Sequence, residues 1–137
     1  MPQVTVTRRV RFNAAHRLHN PDLSDAENRQ LFGLCNSPNF HGHNYELEIA
    51  VRGTPDARTG YVMDLSELAR TADAVIVEPL DHRNLNLDVD FLRGINPTVE
   101  NLVVACWREL LPRVTSGRLY RLRLWETENN YAEYEGD

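Results

Sequence analysis

Histidine is the residue type in this sequence that points most directly to chemistry. The chain has 5 histidines, and two of them, His41 and His43, stand at alternate positions around Gly42. Residues i and i+2 of an extended segment face the same side, so these two imidazoles could grip one metal ion. His16, at the end of the first predicted strand, is a candidate third ligand, and His19 competes for that role. Three imidazoles with an open fourth position are typical of catalytic zinc, although an H-x-H pair also arises by chance in polar loops.

The two cysteines differ in their surroundings. Cys35 lies six residues before His41 and could be a fourth zinc ligand, a nucleophile or base, or a small buried apolar residue. A zinc ion or a protonated imidazole nearby would lower the pKa of its thiol and make it a thiolate base. Cys106 lies in an apolar run of the last predicted helix, which indicates a core position. Two cysteines form no disulfide framework, which fits a reducing cytosol and predicts a cytoplasmic protein.

Three acidic positions could serve such a centre. Asp81 precedes His82, and a carboxylate can orient an imidazole and raise its basicity. Adjacent residues seldom hydrogen-bond each other well, so a solvated loop is the alternative for this pair. Glu126 ends a predicted strand, where it could accept two hydrogen bonds from a guanidine-like edge or could simply be an exposed charge. Glu100 falls in the first turn of a predicted helix, where an acidic residue favours the helix dipole and needs no function.

The charge balance excludes several classes of function. The basic residues number 15 and are all arginine, whereas 20 residues are acidic, so the formal charge is −5. Without lysine, a Schiff-base, P-loop or general-base lysine is excluded. The acidic balance argues against broad binding to nucleic acid or to a membrane surface, and neither a signal peptide nor a membrane-spanning segment is expected. The length and composition predict one globular domain over residues 1–137.

The spacing of apolar residues predicts the elements that carry these side chains. Alternation from Val4 to Phe12 predicts a first strand, and the stretch 43–52 predicts a second. A capping box of Ser24 and Glu27 predicts one short helix between them. The other predicted elements are a helix over 64–78 ended by Pro79, a helix from the N-cap Thr98 to Leu111, and strands over 119–127 and 130–135.

This order of elements predicts an α+β fold with a four-stranded antiparallel sheet and two long helices on one face. The strands are joined by hairpins at both ends of the chain, which implies the antiparallel arrangement. Two helices cover only one face, so the other face and both sheet edges stay open. An oligomer that joins the edges into a β-barrel would solve both problems.

Longer stretches of the sequence resemble the 6-pyruvoyltetrahydropterin synthase family. The core of the resemblance is Cys-Asn-Ser-Pro-Asn-Phe-His-Gly-His-Asn-Tyr, residues 35–45. The further matching stretches, which follow in the family's order, are 12–18, 23–28, 79–85, 97–101 and 125–127 with Asn129 and Asn130. Each stretch alone is unspecific, but the combination covers nearly the whole chain and is highly specific.

The resemblance implies the tunnelling fold, in which a trimer closes a β-barrel with the helices outside and two trimers stack into a homohexamer. It also implies a Zn²⁺ site formed by His16, His41 and His43. The implied reaction converts 7,8-dihydroneopterin triphosphate into 6-pyruvoyltetrahydropterin with elimination of triphosphate. The electrons come from the substrate's own side chain, which agrees with a sequence that has no nucleotide-binding fingerprint.

The resemblance also implies roles for the remaining candidates. Cys35 matches the proton-abstracting thiol, and Asp81 with His82 matches a proton relay that reaches the site from a neighbouring subunit. The positions that hold the pterin or complete the relay are matched by Thr98, Glu100 and Glu126. Candidates for binding the triphosphate, because they surround the first strand and its exit, are Arg8, Arg9, Arg11 and Arg17.

Two alternatives stay open. The related 6-carboxytetrahydropterin synthase of the queuosine pathway shares the zinc, the thiol and the substrate. Its motif usually has three residues between Cys and His-Gly-His, whereas five intervene here, which favours the pyruvoyl type. A non-catalytic zinc- or pterin-binding module of the same fold is the other alternative, and the presence of Cys35 argues against it. Val99 stands where some members carry a second threonine, so one pterin contact of the family does not carry over to this position.

Overall fold

A five-stranded sheet organises the chain, of which the computed structural model describes residues 1–137. β1 (Val4–His16) and β2 (His41–Gly53) are long antiparallel neighbours. β3 (Arg83–Asn84) lies parallel to β1 at one edge. β4 (Arg118–Trp125) pairs antiparallel with β2, and β5 (Tyr131–Tyr134) pairs antiparallel with β4. The strand order is therefore β3-β1-β2-β4-β5.

The predicted sheet of four antiparallel strands is wrong in two respects: the sheet has five strands, and one of them pairs in parallel. The additional strand β3 falls in a segment predicted as a loop, and its parallel pairing makes the sheet mixed. It forms because the His82 N–H donates to the Asn13 carbonyl at 2.6 Å and the Leu85 N–H donates to the Ala15 carbonyl at 2.8 Å. Two residues are too few to show the alternation by which strands are predicted.

The helices follow the predicted order, with one addition. α1 (Asp25–Phe32) begins at the predicted capping box, in which Ser24 and Glu27 each accept a hydrogen bond from the other's backbone N–H. α2 (Leu65–Ala72) passes through a π-helical turn (Asp73–Val77) into the short α3 (Glu78–Leu80).

Pro79 does not end the second helical segment, which was the prediction. It lies in the first turn of α3, where its missing N–H is tolerated, so the segment continues to Leu80. α4 (Val99–Leu110) has Thr98 as its N-cap, as predicted. None of the helices has the length and apolar character that crossing a membrane requires.

The two faces of the sheet have opposite character. Alternate residues of β1 and β2 face the helices, and the register places Val10 opposite Leu47 and Phe12 opposite Tyr45. These side chains belong to one core of 25 buried residues. The other face, called the open face below, is polar, and its central residues on β1 and β2 are Arg9, Arg11, Asn13, Asn44, Glu46 and Glu48.

Candidate active site

Strand register brings three imidazoles together at one end of the helix-covered face. His16 is the last residue of β1 and lies opposite His41, the first residue of β2. His43 follows two residues later and therefore projects from the same face. The ring centroid of His16 lies 4.5 Å from that of His41 and 5.0 Å from that of His43. One nitrogen of each ring lies within 4.8 Å of the others, so the three can ligate one metal ion.

Nitrogen atoms of this cluster are buried without a hydrogen-bond partner. His16 is only 1% exposed, and its Nδ1 lies 2.8 Å from the carbonyl oxygen of Pro97. A carbonyl can only accept, so Nδ1 carries the proton and Nε2 presents a lone pair. That Nε2 has no hydrogen-bond partner, and neither has either ring nitrogen of His41. Buried polar atoms without partners are costly, so these residues fit a metal ion well.

Burial favours the neutral, metal-binding form of His16 and His41. Burial lowers the pKa of His16 to about 4, and the neighbouring His41 and His43 add to this effect against the hydrogen bond to Pro97. Burial also lowers the pKa of His41, again with help from His43 and against the attraction of Glu126. Imidazole must be neutral to ligate a metal, so protons do not compete with the ion at neutral pH.

A cavity of about 910 Å³ lies beside the cluster at the end of the open face. His43 lines it together with Asp81, Trp125 and Glu126. One carboxylate oxygen of Glu126 lies 3.8 Å from Nε2 of His16, which links the cavity to the metal-ligating atoms. A concave site of this size, with convergent polar groups, suits a small-molecule substrate.

Comparison with known proteins shows the family to which the chain belongs. The family model described as 6-pyruvoyl tetrahydropterin synthase matches residues 5–137. The human protein named 6-pyruvoyl tetrahydrobiopterin synthase is 44% identical over 135 residues, which cover 98% of this chain and 93% of that protein. The chain belongs to the 6-pyruvoyl tetrahydropterin synthase family.

Two further family members support the assignment. The protein named 6-pyruvoyl tetrahydrobiopterin synthase from Drosophila melanogaster is 44% identical over 136 residues, which cover 98% of this chain and 81% of that protein. The solved structure of Caenorhabditis elegans 6-pyruvoyl tetrahydropterin synthase matches with a TM-score of 0.93 at 42% identity and covers 100% of this chain and 98% of that chain. The α+β architecture and the family predicted from the sequence are confirmed.

In this member of the family, Cys35 lies apart from the three histidines. It is half-buried in the 3-10 turn Gly33–Asn36, and its carbonyl accepts a hydrogen bond from the Leu18 N–H at 2.8 Å. Its sulfur is not part of the metal-ligating group, and Cys35 does not line the cavity within one chain. The arrangement therefore differs from a closed four-ligand structural zinc site, which the sequence left open. Cys106 is buried as predicted, and burial raises the pKa of its thiol to about 12.

Asp81 and His82 form a hydrogen-bonded pair although they are adjacent in sequence. Nδ1 of His82 lies 2.8 Å from a carboxylate oxygen of Asp81. The backbone of Asn13 holds both residues, since its N–H donates to Asp81 at 2.8 Å and its carbonyl accepts from the His82 N–H at 2.6 Å. His82 has a φ of 61°, in the left-handed region that few non-glycine residues adopt. This backbone conformation permits a hydrogen bond between the side chains of two adjacent residues, which such neighbours seldom form.

The side chains of Asp81 and His82 differ in their exposure to solvent. The Asn13 N–H and then His82 lower the pKa of Asp81, so the carboxylate stays ionised at neutral pH. Asp81 lines the cavity, whereas the side chain of His82 is 83% exposed and does not. The exposed His82 ring therefore forms no part of the cavity wall of its own chain.

Thr98 and Glu100 lie at the start of α4, outside the cavity. The Thr98 hydroxyl accepts a hydrogen bond from the Asn101 N–H at 3.1 Å, and Glu100 is exposed in the first turn. The adjacent Pro97 carbonyl binds His16, so the start of this helix is tied to the metal ligands. Of the six predicted residues other than histidine ligands, the cavity of one chain contains only Asp81 and Glu126.

Four residues of the site were not predicted. Pro97 orients His16 through its carbonyl, and Tyr45 places its hydroxyl 3.3 Å from Nδ1 of the same histidine. Asn13 holds the Asp81–His82 pair through its backbone. Trp125 forms a cavity wall and donates from Nε1 to Glu48 at 2.7 Å. All four lie in stretches that resemble the family, but the backbone contacts of Pro97 and Asn13 leave no signal in residue type.

Proposed function

We propose that this chain is a zinc-dependent 6-pyruvoyltetrahydropterin synthase. It converts 7,8-dihydroneopterin triphosphate into 6-pyruvoyltetrahydropterin and eliminates triphosphate. The observation that carries the proposal is the cluster of three imidazoles, in which His16 and His41 have buried nitrogens without a hydrogen-bond partner. It occurs in a chain that is 44% identical, over 98% of its length, to a protein named 6-pyruvoyl tetrahydrobiopterin synthase.

The metal-holding residues are His16, His41 and His43. Neutral imidazoles without a carboxylate ligand suit Zn²⁺. Zinc held by these three residues would supply Lewis-acid chemistry that favours loss of a proton from the substrate side chain. The Pro97 carbonyl fixes the tautomer and orientation of His16, since it can only accept the Nδ1 proton.

Proton transfer falls to Cys35 on one side of the substrate and to His82 on the other. The Cys35 thiolate removes a proton from the substrate side chain. Asp81 stays ionised and accepts the Nδ1 proton of His82, which leaves the other ring nitrogen free to give or take a proton. Two bases on opposite sides allow the side chain and ring to exchange protons while the electrons stay within the substrate.

The acidic residues hold and complete this arrangement. Thr98 and Glu100, at the start of α4, bind the pterin, whose guanidine-like edge offers two N–H donors to a carboxylate. Glu126 completes the proton relay at the reaction centre. Its place in the cavity wall, 3.8 Å from Nε2 of His16, supports that role.

The working unit in this proposal is a homohexamer of two stacked trimers. β3 covers only Ala14 and Ala15 of β1, so the edge of β1 from Val4 to Phe12 has no strand partner on that side. The outer edge of β5 is equally free, and pairing these edges between copies closes a barrel. In such a barrel the exposed His82 serves the cavity of a neighbouring subunit.

The remaining features of the proposal concern the chain as a whole. One core of 25 buried residues supports a single domain over residues 1–137. Two free cysteines support a cytoplasmic location, because cytosolic thiols are kept reduced. The partners are the small dihydropterin triphosphate and further copies of the chain, without nucleic acid or membrane.

Product analysis tests the proposal directly. The purified, zinc-loaded protein is incubated with 7,8-dihydroneopterin triphosphate, and the pterins are separated by chromatography. We expect a pyruvoyl product and one equivalent of released triphosphate. A carboxy product would identify the related 6-carboxytetrahydropterin synthase activity instead. Unchanged substrate, bound by a zinc-loaded protein, would identify a non-catalytic module and contradict the proposal.

A further inference from the structure

We propose that a second concavity, next to the turn that carries Cys35, binds the triphosphate group of the substrate. This inference rests on the proposed function. The concavity has a volume of about 520 Å³ and lies between the exit of β1, α1 and the turn Gly33–Asn36. The residues that line it include Arg17, Asp25, Arg29, Gly33, Asn36 and Ser37.

Arg17 is held in place by three hydrogen bonds. Its backbone N–H donates to the Asn86 side chain, and its carbonyl accepts from the same side chain, both at 2.8 Å. Its Nε donates to the carbonyl of Asn36 at 2.9 Å. The two terminal nitrogens of the guanidinium have no partner, and Arg17 is in none of the ion pairs of the structure. A fixed guanidinium with free donors is arranged to receive an anion.

The other groups of the concavity favour a negatively charged ligand. Arg29, in the last turn of α1, is exposed and also takes part in no ion pair. The Ser37 hydroxyl forms no hydrogen bond within the chain, so it can donate to a phosphate oxygen. Asp25 contributes one carboxylate but pairs with neither arginine, which leaves two cations against one anion.

The arginines of the large cavity are arranged differently. Arg9 lies 3.4 Å from Glu46 and 3.7 Å from Glu48, and Arg11 lies 2.9 Å from Glu46. The same cavity also contains the carboxylates of Asp81 and Glu126. Its positive charges are therefore already neutralised, and a polyanion placed there would meet further carboxylates. Of the arginines predicted as candidates for binding the triphosphate, we therefore retain Arg17 rather than Arg9 or Arg11. Arg29, which was not among those candidates, is added.

The chain connects this concavity to both reactive groups. Arg17 directly follows the metal ligand His16, and Asn36 directly follows Cys35. The concavity is therefore lined by the direct sequence neighbours of both groups, whose Cα atoms are about 3.8 Å from those of His16 and Cys35. Occupancy would hold the thiol turn against the exit of β1. Triphosphate, the leaving group, would be held by charges that do not take part in proton transfer.

Three variants and one probe test the anion site. Arg29→Gln is the main variant, because Arg29 is exposed and its loss leaves the core intact. Arg17→Gln is the second, and Arg58→Gln, an exposed arginine without ion pairs in a distant turn, is the control. Inorganic tripolyphosphate is titrated into each zinc-loaded protein by calorimetry. Zinc content is measured before and after, since tripolyphosphate chelates metals.

We expect each of the first two variants to bind tripolyphosphate about tenfold more weakly, the size of one lost charge-assisted hydrogen bond. KM for the triphosphate substrate should rise by a similar factor, whereas binding of neopterin, which lacks phosphate, should not change. Equal tripolyphosphate affinity in Arg29→Gln, Arg58→Gln and the wild type would overturn the anion site and leave the proposed function intact. Weakened tripolyphosphate binding in a protein that never turns over the substrate would support the site and reject the proposed function.

Discussion

The metal cluster and the Asp81–His82 pair are built in different ways. His16, His41 and His43 come from regular positions on two long paired strands, and their ligand atoms converge within a single chain. The pair lies after a π-helical turn and a short helix, with His82 in a left-handed conformation. His16 of the cluster is buried and His41 and His43 are half-buried, whereas the side chain of His82 is 83% exposed.

The two groups are positioned by different parts of the fold. Sheet register places the three imidazoles, so the ligand atoms of the proposed metal site all come from one chain. The Asp81–His82 pair is hydrogen-bonded to the sheet through the backbone of Asn13, and the exposed His82 side chain does not line the cavity of its own chain. In the proposed hexamer, a metal site held within one chain thus combines with an exposed group supplied by a neighbouring subunit.

The largest expected effect comes from breaking the cluster itself. His41→Ala removes one of three ligands, so the variant should lose bound zinc and, with it, activity by a factor on the order of 10⁴ or more. Metal analysis and product chromatography measure the two losses. The matched control is His19→Ala, because His19 contacts Asn36 and lies outside the cluster. Full zinc content in His41→Ala would refute the ligand assignment.

Separating chemistry from binding is the purpose of the next variant. Cys35 lies outside the metal-ligating group, so Cys35→Ala should keep zinc and pterin binding. If the thiol is the base that starts the reaction, turnover should fall by about 10³-fold, within the range for a general base. Zinc content, neopterin binding and turnover are measured on the same preparation. A fully active Cys35→Ala protein would show that another group is the base.

The relay pair is tested by Asp81→Asn, which keeps a side chain of the same shape. The amide oxygen can still accept from Asn13, but the charge that orients His82 is lost. We expect about 10²-fold lower turnover with unchanged zinc content. Asp88→Asn is the control, since Asp88 is an exposed carboxylate in the same loop that also accepts a backbone N–H. Equal turnover in the two variants would remove Asp81 from the mechanism.

The smallest effect is expected from Tyr45→Phe. The Tyr45 hydroxyl lies 3.3 Å from Nδ1 of His16, but the shorter contact of that nitrogen is to Pro97. Loss of the hydroxyl should therefore cost about 1 kcal/mol in the free energy of unfolding and weaken zinc binding less than about tenfold. Denaturant unfolding and zinc titration measure both. Zinc loss as complete as in His41→Ala would mean that Tyr45, rather than register and Pro97, holds the cluster together.

The parts of the molecule that repeat a simple period were predictable. Alternation in β1 and β2 placed the strands, and the i, i+2 spacing of His41 and His43 placed two ligands on one face. The capping residues Ser24 and Thr98 marked helix starts that the structure confirms.

The parts that depend on backbone contacts between distant segments were not predictable. β3 has no pattern of its own, because it exists only through hydrogen bonds to the end of β1. The Asp81–His82 contact requires a positive φ that nothing in the residue type announces. The hydrogen bond between the Pro97 carbonyl and His16 also has no signal in the sequence, although it sets the tautomer of His16. Local periodicity therefore predicted the positions of the three clustered histidines better than those of the residues around them.

The central claim is that the metal cluster of one chain works with the His82 of another. His41→Ala and His82→Ala proteins are each inactive in this account, and they are mixed at equal amounts under conditions that allow subunits to exchange. A site that pairs an intact cluster with a neighbour's intact His82 then forms by chance in about one quarter of cases. We predict that the mixture recovers about a quarter of wild-type turnover per chain. Turnover no higher than that of the separate variants, despite proven subunit exchange, would contradict the shared site.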